Sequence, residues 1–326
     1  MAIEWIHEPG APATVVVGGP PEPGTAADWI REHANELRAA LLTHGAVFLR
    51  GLPVRALADF AAVRDSLFGR RARYEEKATP RSAFGDDIFS STDLPSAHAI
   101  RLHNENSYTL TFPGLLLFGC LVAPGEGGAT PVADVREVLA HLPADLLDRF
   151  RRHGWLLSRN YGEDISLDWR TAFATDSRAE VLAYCGANGI DAAWIDDDTL
   201  RTSQLRSATL RHPVTGEEAW FNHVAFWSRW SLAPGIREVL LSEFGPDGLP
   251  FDTALGDGTA LTPEDIAVIN TAYERATVRR RWQPGDLLLV DNILAAHGRD
   301  PYRGDRQVVV AMGEPQSRAT SATPAC

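Results

Sequence analysis

Apolar residues recur along this chain with two periods. Between Thr25 and Leu42, Trp29, Ile30, Leu37 and Leu41 share one face of a 3.6-residue repeat. Thr25 and Asp28 form a capping-box pattern, so a helix is predicted there, stopping at Gly45. Ala46–Leu52 is a nearly unbroken apolar run and reads as a buried strand; Leu57, Phe60, Ala61, Arg64 and Leu67 predict a second helix. Arg70–Ser91 is charged and aperiodic and reads as a loop. Further strands are predicted at Ile100–Tyr108, Leu115–Val122, Trp155–Tyr161, Asp286–Asp291 and Gln307–Met312. A hairpin is expected within 208–222 around Thr215 and Gly216. Helical patterns cover Ala133–Arg152, cut at Pro143, the stretch opening at Ser177, and Thr262 to about Ala276. Pro9–Gly24 reads as a loosely structured entry and Ser317–Cys326 as a disordered tail.

Strands at both ends with helices between them do not follow the regular alternation of a doubly wound sheet. A mainly β fold with helical insertions, a β-sandwich or jelly roll, fits better. We expect one domain over 1–326, with an ordered core at about 25–313 and a helical insertion within about 133–280.

At 326 residues and 44% hydrophobic content, the chain is long enough for a large core. Its net charge of −12 disfavours nucleic acid and anionic membranes as partners. The longest apolar run, Leu115–Ala123, is too short to span a bilayer, and the N-terminus lacks the layout of a signal peptide. Cys120, Cys185 and Cys326 are odd in number and widely spaced, which suits a reducing cytoplasm rather than a disulfide framework.

The chemistry is carried by a few scattered residues. His103 and Glu105 are two apart on a predicted strand, so imidazole and carboxylate would project from one face. His297 directly follows a buried strand. Thr130 lies in a Gly127–Pro131 loop, and Arg306 opens the last strand. Two histidines and a carboxylate can hold non-heme Fe(II) with three positions open. Those positions suit a bidentate keto acid and O2. A buried arginine calls for an anion, and a distal carboxylate would meet it, aided by a threonine hydroxyl. Arg81, Asn222 and His223 are candidate substrate contacts. The acidic run at 196–198 reads as solvated.

Taken together, Ser91–Pro95, Ile100–Glu105, Pro124–Asp134, Trp282–Asp286, Asp291–Asn292 and Ala296–Arg299 resemble the taurine-dioxygenase and clavaminate-synthase-like superfamily of Fe(II)/2-oxoglutarate oxygenases. Within it, the chain resembles the syringomycin-type (SyrP-like) amino-acid hydroxylases. The resemblance covers about Leu41 to Gly313. It implies a double-stranded β-helix, iron held by His103, Glu105 and His297, and 2-oxoglutarate held by Thr130 and Arg306, with Arg299 and Arg303 as nearby alternatives. It implies O2-dependent hydroxylation of an amino-acid-like small molecule, free or tethered to a carrier protein, with release of succinate and CO2. Desaturation, epoxidation and cyclisation share this cofactor chemistry. Halogenating relatives replace the carboxylate ligand by a small residue, whereas here Glu105 is present. Other readings of the same residues are a non-catalytic jelly-roll binding protein and a zinc hydrolase, which leaves Arg306 without a task.

Overall fold

A computed structural model describes residues 3–6, 8, 12–17, 26–72, 76–78, 81–162 and 166–318. Most of Pro9–Gly24, the capping residue Thr25 and the tail beyond Arg318 lie outside these.

Two sheets face each other. The larger has eight strands in the order 3–6, 13–17, 46–50, 287–291, 111–122, 307–317, 88–90 and 83–85. The smaller has four: 277–278, 132–134, 295–299 and 100–103. Pairing is antiparallel throughout these two sheets, except where Ala13–Val17 runs parallel to Ala46–Arg50. This is the jelly roll expected from the sequence.

The apolar runs are explained by burial on both faces of the larger sheet. Phe48, Leu288, Val290, Val308, Val310 and Met312 point between the sheets. Their neighbours Val47, Leu49, Leu287, Leu289, Val309 and Ala311 point the other way, against Trp29, Ile30, Leu41, Phe60 and Val63 of the N-terminal helices. Alternation of period two therefore persists beneath an unbroken apolar sequence.

Several elements differ from expectation. The first helix is two, Ala26–Glu32 and Ala34–His44. His33 leaves helical geometry between them, stacks on Trp29 at 4.2 Å and donates its Nδ1–H to the Trp29 carbonyl. Ala13–Val17, within the supposed loose entry, is a strand of the larger sheet. The Arg70–Ser91 loop contains a short hairpin of Ala83–Gly85 and Ile88–Ser90, stitched to the edge of that sheet through Val309–Ala311. The segment from 133 begins as the strand Val132–Asp134 before turning helical at Val135. Pro143 does separate two helices, Val135–His141 and Ala144–His153.

Between 133 and 280 the chain builds more than helices. Ile190–Trp194, Leu200–Arg206, Trp155–Tyr161 and Phe251–Leu255 form a separate four-stranded antiparallel sheet beside the jelly roll. Among the described residues, no helix is long and apolar enough to cross a membrane.

Candidate metal centre and active-site cavity

The smaller sheet sets two imidazoles side by side. Ile100–His103 pairs with Ala295–Arg299 so that His103 lies opposite His297, with ring centroids 4.5 Å apart. The register shifts between His297 and Arg299. At Gly298 an added Cβ would lie 2.6 Å from the Ile100 carbonyl oxygen, so the strands approach this closely because the residue has no side chain.

Strand alternation does not bring Glu105 to them. The strand ends at His103, and residues 105–108 form a turn with Asn106 in the left-handed region at φ 51°. A loop distant in sequence holds that turn. The Glu105 N–H donates to Asn292 Oδ1 at 2.7 Å. Asn292 Nδ2 donates to the carbonyls of Glu105 and Pro113 at 2.9 and 2.7 Å. Asn104 Nδ2 donates to the Asn292 carbonyl at 2.7 Å. Glu105 Oε2 thereby sits 4.0 Å from His103 Nε2 and 3.6 Å from His297 Nε2.

These groups fit a metal ion. One donor atom from each residue lies within 4.8 Å of the other two, and all three residues are buried. His103 Nδ1 faces the Arg101 carbonyl at 2.9 Å, so Nδ1 carries the proton and the Nε2 lone pair faces the centre. Burial, followed by the neighbouring His297, pushes the His103 pKa down to about 3. Burial alone would raise the Glu105 pKa. The Arg81 charge and a hydrogen bond from His297 outweigh it and hold the carboxyl below the ordinary carboxylate range. Neutral imidazole and ionised carboxylate are the ligating forms.

A cavity opens on this cluster. Thr130 and Arg306 line it together with His103 and His297. Arg306 donates to the Gly128 carbonyl at 3.0 Å, to Ser91 Oγ at 3.0 Å and to Thr130 Oγ1 at 3.4 Å. Trp282 Nε1 donates to the same threonine oxygen at 3.1 Å. Among the described residues no carboxylate pairs with Arg306. Burial, and then Arg299, lowers its pKa to about 10, the mark of a cation short of negative charge. Arg299 is occupied differently, donating to the carbonyls of Leu94, Pro95 and His98 at 2.9, 2.7 and 2.7 Å. Arg303 stands outside with its side chain 86% exposed.

The candidate substrate contacts separate. Arg81 lines the cavity and donates to Glu105 Oε2 at 2.8 Å. Asn222 does not line it: its Nδ2 donates to the Ala208 carbonyl and its Oδ1 accepts from the Val224 N–H. His223 lies behind His103, 5.3 Å from its ring, with its ring centroid 4.2 Å from that of Trp227 and hydrogen-bonded to Ser107 Oγ at 2.5 Å. From this stretch the side chain that reaches the cavity is Phe226, 4.7 Å from the His103 ring. Sequence reasoning passed over Phe226 as core and gave Asn292 no role. Its signal was the Asp291–Asn292 pair, whose partners become visible only when the chain folds.

The family model described as taurine catabolism dioxygenase TauD, TfdA family, matches residues 18–312. The chain belongs to the TauD/TfdA family. It is similar to the dapdiamide synthesis protein DdaC of Enterobacter agglomerans, 37% identical over 271 residues, covering 83% of this chain and 82% of that protein. A clavaminate synthase-like protein of Arabidopsis thaliana is 26% identical over 294 residues, covering 87% and 86%. Among solved structures, PvcB, described as an Fe, alpha-ketoglutarate dependent oxygenase from an isonitrile synthetic pathway, superposes with a TM-score of 0.53 at 15% identity, covering 94% of this chain and 86% of PvcB. That likeness concerns the fold. As a TauD-family member the chain is a non-heme iron, 2-oxoglutarate-dependent dioxygenase.

Proposed function

We propose that this dioxygenase hydroxylates an unactivated C–H bond of an amino acid or amino-acid-derived small molecule in specialised metabolism. In this reading His103, Glu105 and His297 hold the iron, Thr130 and Arg306 receive the far carboxylate of 2-oxoglutarate, and residues 1–326 act as one domain in the cytoplasm. The observation that carries it is the shared cavity: His103 and His297 line it, Glu105 stands within 4.0 Å of both, and beside them lies a partly buried guanidinium with no carboxylate partner among the described residues. Similarity to a protein of dapdiamide synthesis supports a biosynthetic setting.

When bound, Fe(II) supplies O2 activation coupled to decarboxylation of 2-oxoglutarate to succinate and CO2. The chain supplies the rest. The Arg101 carbonyl keeps the His103 proton on Nδ1. Arg306 and Thr130 orient the co-substrate by its far end through charge-assisted bonds. Phe118 and Phe226 wall the cavity with apolar surface and exclude water. Desaturation, epoxidation or cyclisation would use the same residues with the substrate placed differently.

The test is an anaerobic absorbance titration with Fe(II), with and without 2-oxoglutarate. A visible charge-transfer band is expected only with both, and it should vanish in His103→Ala and in His297→Ala. Folded, metal-loaded protein without the band would overturn the reading.

A further inference from the structure

Two cavities share a wall. The one that opens on the metal ligands has a volume of about 40 Å³. A single water needs about 10–15 Å³ on that scale, so the space is worth about three waters. On the reading above the co-substrate takes it, and a substrate needs room beside it. Ile100 and Phe226, which line this cavity, also line a groove of about 390 Å³. The groove lies between the strand Ile100–His103, the helix Val224–Trp227 and the helix Pro263–Ala276. The Phe226 ring is 4.7 Å from that of His103, so the two spaces meet at this side chain.

The polar groups of the groove are not equivalent. Arg279 is held by Glu274 and by Asp300, each at 3.3 Å. Arg101 Nη2 donates to the Ser231 carbonyl at 3.0 Å, and Thr271 Oγ1 donates to the Ala267 carbonyl at 2.8 Å. Asn270 differs from all of these. It lines the groove, is half-buried, and its side-chain amide has no hydrogen-bond partner among the described residues. It stands in the middle of the helix Pro263–Ala276, where asparagine is a poor helix former and alanine a better one. Neither the helix nor a neighbouring group calls for an amide at this position.

We propose that the groove is the distal half of the substrate site and that Asn270 recognises an amide there. The asparagine side chain offers both an acceptor and donors, the complement of the N–H and C=O of a secondary amide, so the two groups bond reciprocally. Leu102, Ala225 and Phe226 give the neighbouring wall apolar surface, the mixture expected of a small-molecule site. The substrate is then an amino acid joined to a second unit through an amide. The amide lies in the groove, and the reacting carbon lies past Phe226 at the metal. A free single amino acid fills one of the two spaces only. This rests on the metal and co-substrate reading above and narrows its substrate class.

The experiment uses the anaerobic Fe(II)/2-oxoglutarate complex of the full chain and reads both the shift of its absorbance band and calorimetric binding. The probes are the proteinogenic L-amino acids, their N-acetyl derivatives and the dipeptides built from them. At least one amide-bearing probe should shift the band and bind about tenfold or more tightly than the free amino acid it contains, as two added hydrogen bonds require. Asn270→Ala should keep the starting band and the wild-type stability, since alanine favours the helix, and lose most of that preference. A panel in which no amide shifts the band, free amino acids that bind as tightly, an unchanged preference in Asn270→Ala, or Asn270-dependent binding that leaves the band unmoved would each overturn the assignment. Absence of the band before any probe is added would count against the metal reading itself. Calorimetry with the same probes then still reads the groove, where binding lost in Asn270→Ala supports an amide site and binding unaffected by Asn270→Ala, or none, overturns it.

Discussion

Asn292 grips the backbone of Glu105 from both sides, accepting from its N–H at 2.7 Å and donating to its carbonyl at 2.9 Å. The two residues are 187 positions apart, and Asn292 is fully buried. The clamp joins the turn carrying the carboxylate to the connection that leads into the His297 strand. It acts on the backbone, so it sets where the carboxylate can reach.

Asn292→Ala removes three hydrogen bonds and strands buried backbone groups. We expect metal affinity to fall about 10–100-fold, as for other residues that orient a ligand. Stability should fall by about 2–4 kcal/mol. Co(II) titration and urea denaturation read the two effects separately. Wild-type Co(II) affinity in a destabilised variant would show that the clamp serves the fold alone.

Arg306→Gln should separate the two halves of the cavity. Loss of a charge-assisted bond costs about 2–3 kcal/mol, so 2-oxoglutarate should bind about 30-fold or more weakly. Co(II) alone should bind nearly as before. Thr130→Val should weaken 2-oxoglutarate less and also leave the Trp282 indole N–H without its acceptor. Calorimetric titration of each ligand distinguishes this outcome from a general loss of the site.

Acid should destabilise the metal-free protein through buried histidines. Burial holds His103 at about 3 and His223 well below the ordinary imidazole value. On unfolding, each returns to a value near 6.5. The full stability is present above that pH and is lost as pH falls toward the folded values, because only the unfolded chain takes up these protons. As pH falls below about 6.5 each histidine should contribute a slope of up to about 1.4 kcal/mol per pH unit. His223→Gln should make the wild-type slope shallower in denaturation curves taken below about pH 6.5. An unchanged slope would mean that His223 is not held neutral.

Glu76→Ala tests the buried ion pair between Glu76 and Arg159. Arg159 is 1% exposed and lies among aromatic rings, 4.5 Å from the Tyr161 centroid and 5.1 Å from that of Phe251. Removing the carboxylate breaks a buried ion pair, which costs about 3–5 kcal/mol. Burial raises the Glu76 pKa against the pull of Arg159 and Arg206, so Glu76→Gln, which keeps an acceptor, should cost less. Denaturant midpoints order the three proteins. Equal stability of all three would show that the ion pair adds nothing to the fold.

Much of this protein was determined by sequence alone, where the information is local. Short apolar runs marked the strands that fold as 46–50, 111–122 and 287–291, because a strand buried on both faces carries apolar residues at successive positions. The Thr262 capping box and the break at Pro143 were legible because caps and prolines act within one turn. The identities of His103, Glu105, His297, Thr130 and Arg306 were legible as an ordered set of chemical types. What only the tertiary structure decided is where side chains meet across long separations. Glu105 joins the imidazoles through a turn clamped by Asn292, and not through strand parity. Arg306 and not Arg299 stands beside Thr130, because Arg299 is consumed by three carbonyls from 94–98. Phe226 reaches the cavity while Asn222 and His223 turn into the fold. In each case backbone groups far away in the chain compete for the same donors, and that competition is settled only when the layers pack.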